Sequence, residues 1–277
     1  MKTVSANLKS HIAQEVTTLC TCWLATRKDG QAFGFTNFSD SLTVDGMIYA
    51  ADSGHSPSAV QTSSGLAVDN LEVAGILSSA SITEADIMAG KWDYAVIEIF
   101  KVNRADLTQG RLHLRKGWLG EIKFGKAGFI AELRGLTQAY QQIVGNVYTA
   151  ACRANLGDAK CGVALAGFTV SGTLTAVTSN RQFSDSSRTE AANFFQGGKL
   201  TWLSGLNVGL AMEVQASTVG GFTLHLPMPY PVAVGDTYSV YRGCDKLFST
   251  CGTVFSNQAN FRGFPHIPGL DRLAAGT

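Results

Sequence analysis

A chain of 277 residues with 45% hydrophobic residues can build a sizeable core in each of two ordinary domains. Its 22 basic and 21 acidic side chains leave a net charge of +1, which excludes nucleic-acid binding driven by overall charge. Charged residues make up only 16%, below the usual quarter. That suits either a subunit that buries much of itself against neighbours or a glycine- and serine-rich β protein that is simply polar outside.

The start, MKTVSANLKSHIAQEVTT, has no apolar core of signal-peptide type, and no stretch is apolar for long enough to span a bilayer. The expected setting is a reducing cytoplasm, or a particle assembled there. Paired cysteines in that setting lean toward metal rather than disulfide.

Leu8, Ile12, Val16 and Leu19 recur at helical spacing and predict an amphipathic helix over residues 1–18. Residues 20–51 hold strand-like runs with turns at Lys28-Asp29-Gly30 and Asp45-Gly46, the second inside a tight hairpin over 43–49. Segment 66–76 alternates as a strand. Segment 83–89 reads as a short helix with Thr83 as its cap and Asp86 in its first turn. Residues 92–103 form a strand around Val96, Ile97, Ile99 and Val102. Residues 112–135 add two more, with turns at Gly117–Gly120 and Gly125–Gly128, and Leu136–Ile143 reads as a closing helix.

The expected boundary falls near Gly145, giving an N-terminal β-rich domain over 1–145 and a four-cysteine domain over 146–277. In the second, residues 162–243 carry a strand or strand pair over 168–185, a helical turn at Glu190–Phe195, and several short strands punctuated by Gly-Gly, Ser-Gly and Pro. Such spacing predicts a small barrel or compact antiparallel sheet. The tail from Phe255 reads as loop, with Pro265 and Pro268 breaking regular structure. The fold class is mainly β with a few short helices (α+β).

Cys152 and Cys161 form a C-x8-C pair before this insert, and Cys244 and Cys251 a C-x6-C pair after it. A compact antiparallel insert tends to bring its entry and exit together, and loop-closure cost grows only logarithmically with length. Three readings stay open on spacing alone: a four-thiolate iron–sulfur or zinc site, two disulfides, or four unrelated buried cysteines. Both spacings are wider than a zinc knuckle, and simple ferredoxin spacings are absent.

The segments CDKLFSTCGTVFSNQANFRGFPHIPG (244–269), GGKLTWLSGLNVG (197–209), LPMPYPVAVGDTY (226–238) and FTNFSDSLTVDGMIYAA (35–51) give the chain a family resemblance over nearly its whole length. It resembles the tail-tip, or baseplate hub, proteins of long-tailed phages, particularly those of alphaproteobacterial prophages and gene transfer agents. More distantly it is similar to the iron–sulfur tail-tip protein L of phage lambda, whose cysteines show the same two spacings without the long insert. The resemblance implies that Cys152, Cys161, Cys244 and Cys251 ligate a [4Fe-4S] cluster, with zinc the alternative. It also implies a structural role in a virion tail rather than an enzymatic one. The expected assembly is a homotrimeric ring between a distal tail protein and a central tip or fibre protein, with DNA passing through the channel. Two other functions compete: an iron–sulfur enzyme or electron carrier, and a tail-tip carbohydrate-binding module formed by 162–243.

Other residues carry less. Cys20 and Cys22 share a strand face beside Trp23 and read as small core residues, or as reserve ligands. The histidines His11, His55, His113, His225 and His266 show no metal-binding spacing, and His266 reads as a loop hydrogen-bonder. Cys20 with His55 could mimic a cysteine-peptidase pair, but that family's surroundings are missing. Arg111, His113, Arg115, Lys116, Lys123 and Lys126 make a locally basic hairpin, read as a solvated face, with DNA passing through a tube or the acidic face of a partner as the alternatives. No Gly-x-Ser-x-Gly or phosphate-binding loop is present. Trp202 and Phe222 fit a barrel core better than a sugar platform.

Overall fold

A computed structural model describes residues 4–51, 56–57, 70–75, 83–125, 128–135, 140 and 145–267. The chain divides into two compact units, Met1–Ile143 and Val144–Thr277. Among the described residues, no helix is long and apolar enough to cross a membrane.

The first unit opens with α1 (Ala6–Ile12), capped by Ser5, whose side chain accepts from the Leu8 amide. The helix is shorter than its periodicity predicts. Val16 is 82% exposed, and Leu19 already pairs with Asn103 as the first residue of a strand, so only Leu8 anchors the helix in a core. The strands follow as β1 (Leu19–Thr26), β2 (Ala32–Thr36), β3 (Leu42–Val44), β4 (Met47–Ala50), β5 (Ser56–Pro57), β6 (Asn70–Gly75), β7 (Val96–Asn103), β8 (Leu112–Gly125) and β9 (Gly128–Gly135). They form one sheet in the order β3-β4-β2-β1-β7-β8-β9-β6-β5, antiparallel except for the β2–β4 pair. The helix α2 (Glu84–Met88) starts where expected, the Thr83 hydroxyl accepting from the Asp86 amide at 3.1 Å.

Alternation along β1 and β7 buries both faces of this sheet. Trp23, Ala25, Ile97 and Ile99 pack with Phe35, Trp92 and Leu133 on one side. Cys20, Cys22, Phe100 and Val102 pack with Val44 and Tyr49 on the other. The Asp45-Gly46 hairpin turn holds both residues at positive φ, 49° and 79°, the geometry a two-residue hairpin requires.

The expected turn at Gly117–Gly120 is not a turn. β8 runs through it, and Gly117 pairs with both Ile97 and Gly135. A Cβ on Gly117 would strike the Arg134 carbonyl, and one on Gly120 would strike the Arg134 side chain. These glycines mark close approach and a register shift between Leu119 and Ile122, not a reversal. The expected helix over Leu136–Ile143 and most of the expected strand over 66–76 lie outside the described residues.

The second unit holds β10 (Thr169–Thr173), β11 (Ala176–Val177), β12 (Gln182–Ser184), β13 (Lys199–Trp202), β14 (Ala211–Thr218), β15 (Gly221–Leu224) and β16 (Thr237–Tyr241). Their order is β10-β16-β13-β14-β15-β12-β11, and every pair is antiparallel. The outermost members β10 and β11 are successive parts of one extended run over 169–177. That run pairs with β16 through its first half and with β12 through its second, so the sheet curls around its core as a half-barrel. The expected helical turn at Glu190–Phe195 is a series of turns over 192–197. The sequence also missed α3 (Phe248–Thr253), which carries too few apolar residues to show a period.

Inside the barrel, Leu174, Phe183, Phe195, Leu200, Trp202, Val214, Phe222, Leu224 and Tyr238 form the core. Its aromatic rings meet edge-on, Phe183 against Trp202 and Phe222 against Tyr238, each at 5.3 Å. One charged group enters this core. Asp185 accepts from the Tyr238 hydroxyl at 2.8 Å and from the Ser187 hydroxyl and amide at 2.6 and 2.9 Å. Burial opposes its ionisation, but these donors and the Arg188 charge outweigh burial and hold its carboxyl below the usual range.

Tyr238→Phe should leave Asp185 short of a donor in a dry site and cost about 1–3 kcal/mol, read as a lower melting temperature. The depressed carboxyl also fixes a sign. Its stabilisation is complete above the ordinary carboxylate range and is lost as pH falls through the depressed value. Asp185→Asn should therefore be less stable at neutral pH and lose less of its remaining stability on acidification.

Candidate metal centre

The barrel positions the cysteines. Thr169 pairs with Tyr241, and the Arg242 amide donates to the Phe168 carbonyl at 2.9 Å, so the chain leaves the barrel beside its point of entry. The first cysteine pair precedes that entry and the second follows that exit.

A single carboxylate folds the first loop. Asp158 Oδ1 accepts from the amides of Lys160 and Cys161 at 2.9 and 2.7 Å, and Oδ2 accepts from Asn155 at 2.9 Å. These amides, Cys161 foremost, hold the Asp158 carboxyl below its ordinary range. In the second loop, Asp245 accepts from the Leu247 amide at 2.9 Å and the Thr250 hydroxyl at 2.7 Å, which starts α3 and turns Cys251 inward.

Lys246 ties the loops together. Its carbonyl accepts from the Cys152 amide at 2.9 Å, and its ammonium donates to the Ala154 carbonyl at 2.6 Å. The segment after α3 closes over them. Asn257 Nδ2 donates to the Cys161 carbonyl at 2.6 Å, and the Phe264 amide to the Thr149 carbonyl at 2.8 Å.

Cys152, Cys161, Cys244 and Cys251 consequently line one cavity, and all four are free thiols. Cys161 and Cys251 are buried, while Cys152 and Cys244 are half-buried. The remaining wall is largely apolar, with Ala154, Leu156, Val163, Phe255 and Phe261, and among the described residues no carboxylate lines it. Two N–H groups face sulfur: the Arg262 amide lies 3.4 Å from Cys152 Sγ, and Asn257 Nδ2 lies 3.6 Å from Cys161 Sγ. Burial pushes the Cys244 and Cys251 thiols above their ordinary range, and the other cysteines of the cavity push Cys251 further the same way.

This donor set fits an iron–sulfur cluster: four thiols, a dry wall and N–H groups directed at sulfur. Among the described residues, no group of three or more His, Cys, Asp or Glu stands ready to hold a metal ion.

The other candidates are placed elsewhere. Cys20 and Cys22 lie in the core of the first unit, where the Cys22 thiol lowers Cys20 to about 7. His11 sits against Thr18, whose amide lies 3.1 Å from its Nε2. His266 packs 6.3 Å, ring to ring, from Phe248. His55 and Lys126 lie outside the described residues. The basic hairpin is largely neutralised: Arg111 pairs with Asp45 at 2.5 Å, Lys116 with Glu98 at 2.6 Å and Lys123 with Glu121 at 3.6 Å. Trp202 and Phe222 are 1% and 3% exposed. Sequence reasoning missed Asp158, Lys246 and Asn257. Only Asp158 left a signal, an Asp placed to accept amides two and three residues on.

Residues 5–164 match the family described as "Baseplate hub protein, N-terminal attachment domain". Residues 193–271 match a second family, described as "Phage conserved hypothetical protein BR0599". The first match contains Cys152 and Cys161, and the second contains Cys244 and Cys251. No curated protein matches. Among solved structures, a chain from the virion of a native gene transfer agent particle is 37% identical, with a TM-score of 0.79 over 98% of this chain and 96% of that chain. The chain belongs to the phage baseplate hub protein family.

Proposed function

We propose that this hub protein forms a trimeric ring joining the distal tail protein to the central tip or fibre protein, and that a [4Fe-4S] cluster on Cys152, Cys161, Cys244 and Cys251 fastens its second unit. The observation that carries the cluster is the convergence of two distant cysteine pairs, all free, on one apolar cavity with N–H groups at two sulfurs. When bound, such a group supplies iron–thiolate bonds that exist only in the folded arrangement, so its binding energy adds to folding stability. The chain's own residues do the positioning: Asp158 and Asp245 shape the two loops, and Lys246 locks one to the other.

A subunit that is buried in an assembly needs apolar surface to offer. At one end of the barrel, the 203–210 and 225–236 loops expose Leu203, Leu206, Val208, Leu226 and Val234, each at least half exposed. Asn207 turns its polar atoms inward, donating to the Tyr230 carbonyl at 2.9 Å and accepting from the Tyr230 amide at 3.2 Å. The loops are held rigid while their aliphatic tips face out, which supports burial against another tail component. The neutralised charges of the β7–β8 face favour a conduit that does not grip DNA. With Trp202 and Phe222 in the core, the barrel lacks the sugar platform those two rings would have supplied.

Anaerobically purified protein should contain iron and sulfide in equal amounts. Cys152→Ser and Cys244→Ser should each lose iron and lower the melting temperature of the second unit. Iron-free wild-type protein, or full iron in both variants, would overturn the ligand set. Particles made without this protein should lack complete tips under the electron microscope, and normal, DNA-delivering particles would refute the hub role. Leu206→Asp with Val208→Asp should leave the isolated protein's stability within about 0.5 kcal/mol of wild type, yet reduce its incorporation into particles.

A further inference from the structure

The structure assigns a positioning role to Asn257, an inference that rests on the four-cysteine reading of the cavity. Asn257 touches a member of each cysteine pair. Its backbone amide donates to the Cys251 carbonyl at 2.9 Å. Its side-chain Nδ2 donates to the Cys161 carbonyl at 2.6 Å and lies 3.6 Å from Cys161 Sγ. One residue thus spans the gap between loops that lie on opposite sides of the barrel in sequence.

The amide is held in one orientation. Asn260 Nδ2 donates to Asn257 Oδ1 at 2.8 Å, and the Asn260 amide donates to the Asn257 carbonyl at 3.0 Å. The oxygen is therefore committed to Asn260, and the nitrogen faces Cys161. A freely rotating amide would give the sulfur a donor only part of the time, whereas this one is pre-organised.

An N–H directed at a metal-bound thiolate withdraws electron density from the sulfur and stabilises the more electron-rich state of the centre. Asn257 accordingly raises the reduction potential of a cluster held here and slows the escape of Cys161 from it. The Arg262 amide, 3.4 Å from Cys152 Sγ, acts likewise on the other loop, but as a backbone group it is removed only by proline, which also constrains the chain. Asn257 is the donor that mutation can address.

The test uses the full chain, purified or reconstituted anaerobically, with three variants. Asn257→Ala removes the donor. Asn257→Asp keeps an oxygen for Asn260 and replaces the donor with a negative charge. Asn260→Ala leaves the donor but releases its anchor. The readouts are the midpoint potential from a redox titration and the rate of iron loss to a chelator. The expected order of potentials is wild type, then Asn260→Ala, then Asn257→Ala, then Asn257→Asp, with iron loss accelerating along the same series. A merely structural asparagine would change iron retention without moving the potential. Iron-loaded Asn257→Ala and Asn257→Asp at the wild-type potential would overturn the role while leaving the four-cysteine site intact. If neither retains iron, Asn260→Ala decides: an unshifted potential overturns the role. Wild-type protein without iron would overturn the four-cysteine site and this role together.

Discussion

The second unit depends on the antiparallel pairing of Thr169–Thr173 with Thr237–Tyr241. These strands are the first and last of the barrel, and their ladder places the entry of the chain next to its exit. Each cysteine pair is short and local, and neither could reach the other without this closure. The cost of closing so long a loop is met by the barrel core, where Trp202, Tyr238, Phe183 and Phe222 are removed from water. Lys246 and Asn257 then act over a few ångströms because the barrel has already acted over many residues.

The strands around Cys22–Ala25 and Val96–Val102 were legible as apolar-rich runs, which both buried faces of their sheet require. The hairpin at Asp45-Gly46 was legible from turn chemistry alone. The reading failed where glycine had two meanings. Gly117 and Gly120 look like turn residues in a sequence, but their purpose is to let Arg134 approach, and that neighbour lies in another strand. Val16 misled in the opposite way, extending an apolar period beyond the point where Leu19 is taken into β1.

The candidate centre was half legible. The cysteine spacings and the compact insert pointed to a shared cavity, and all four thiols line one. The hydrogen bonds that shape it were not legible, because the Lys246 ammonium, the Asn257 amide and the Arg262 N–H reach partners some 90 to 110 residues away in sequence, at no recognisable spacing. As a baseplate hub family member resembling a gene transfer agent virion chain, the protein is a structural component of a virion tail.

The extended run over 169–177 is shared by both margins of the barrel, and this has a consequence for crowding. A sheet with a free margin presents unpaired amides and carbonyls to any extended peptide nearby, the usual route to unwanted polymers. The margins of the second unit, β10 and β11, are five and two residues long, and those of the first, β3 and β5, are three and two. Among the described residues, main-chain recruitment of a neighbour at any of these margins is therefore limited to a few hydrogen bonds, which lets copies be packed at high local density with little tendency to zip together.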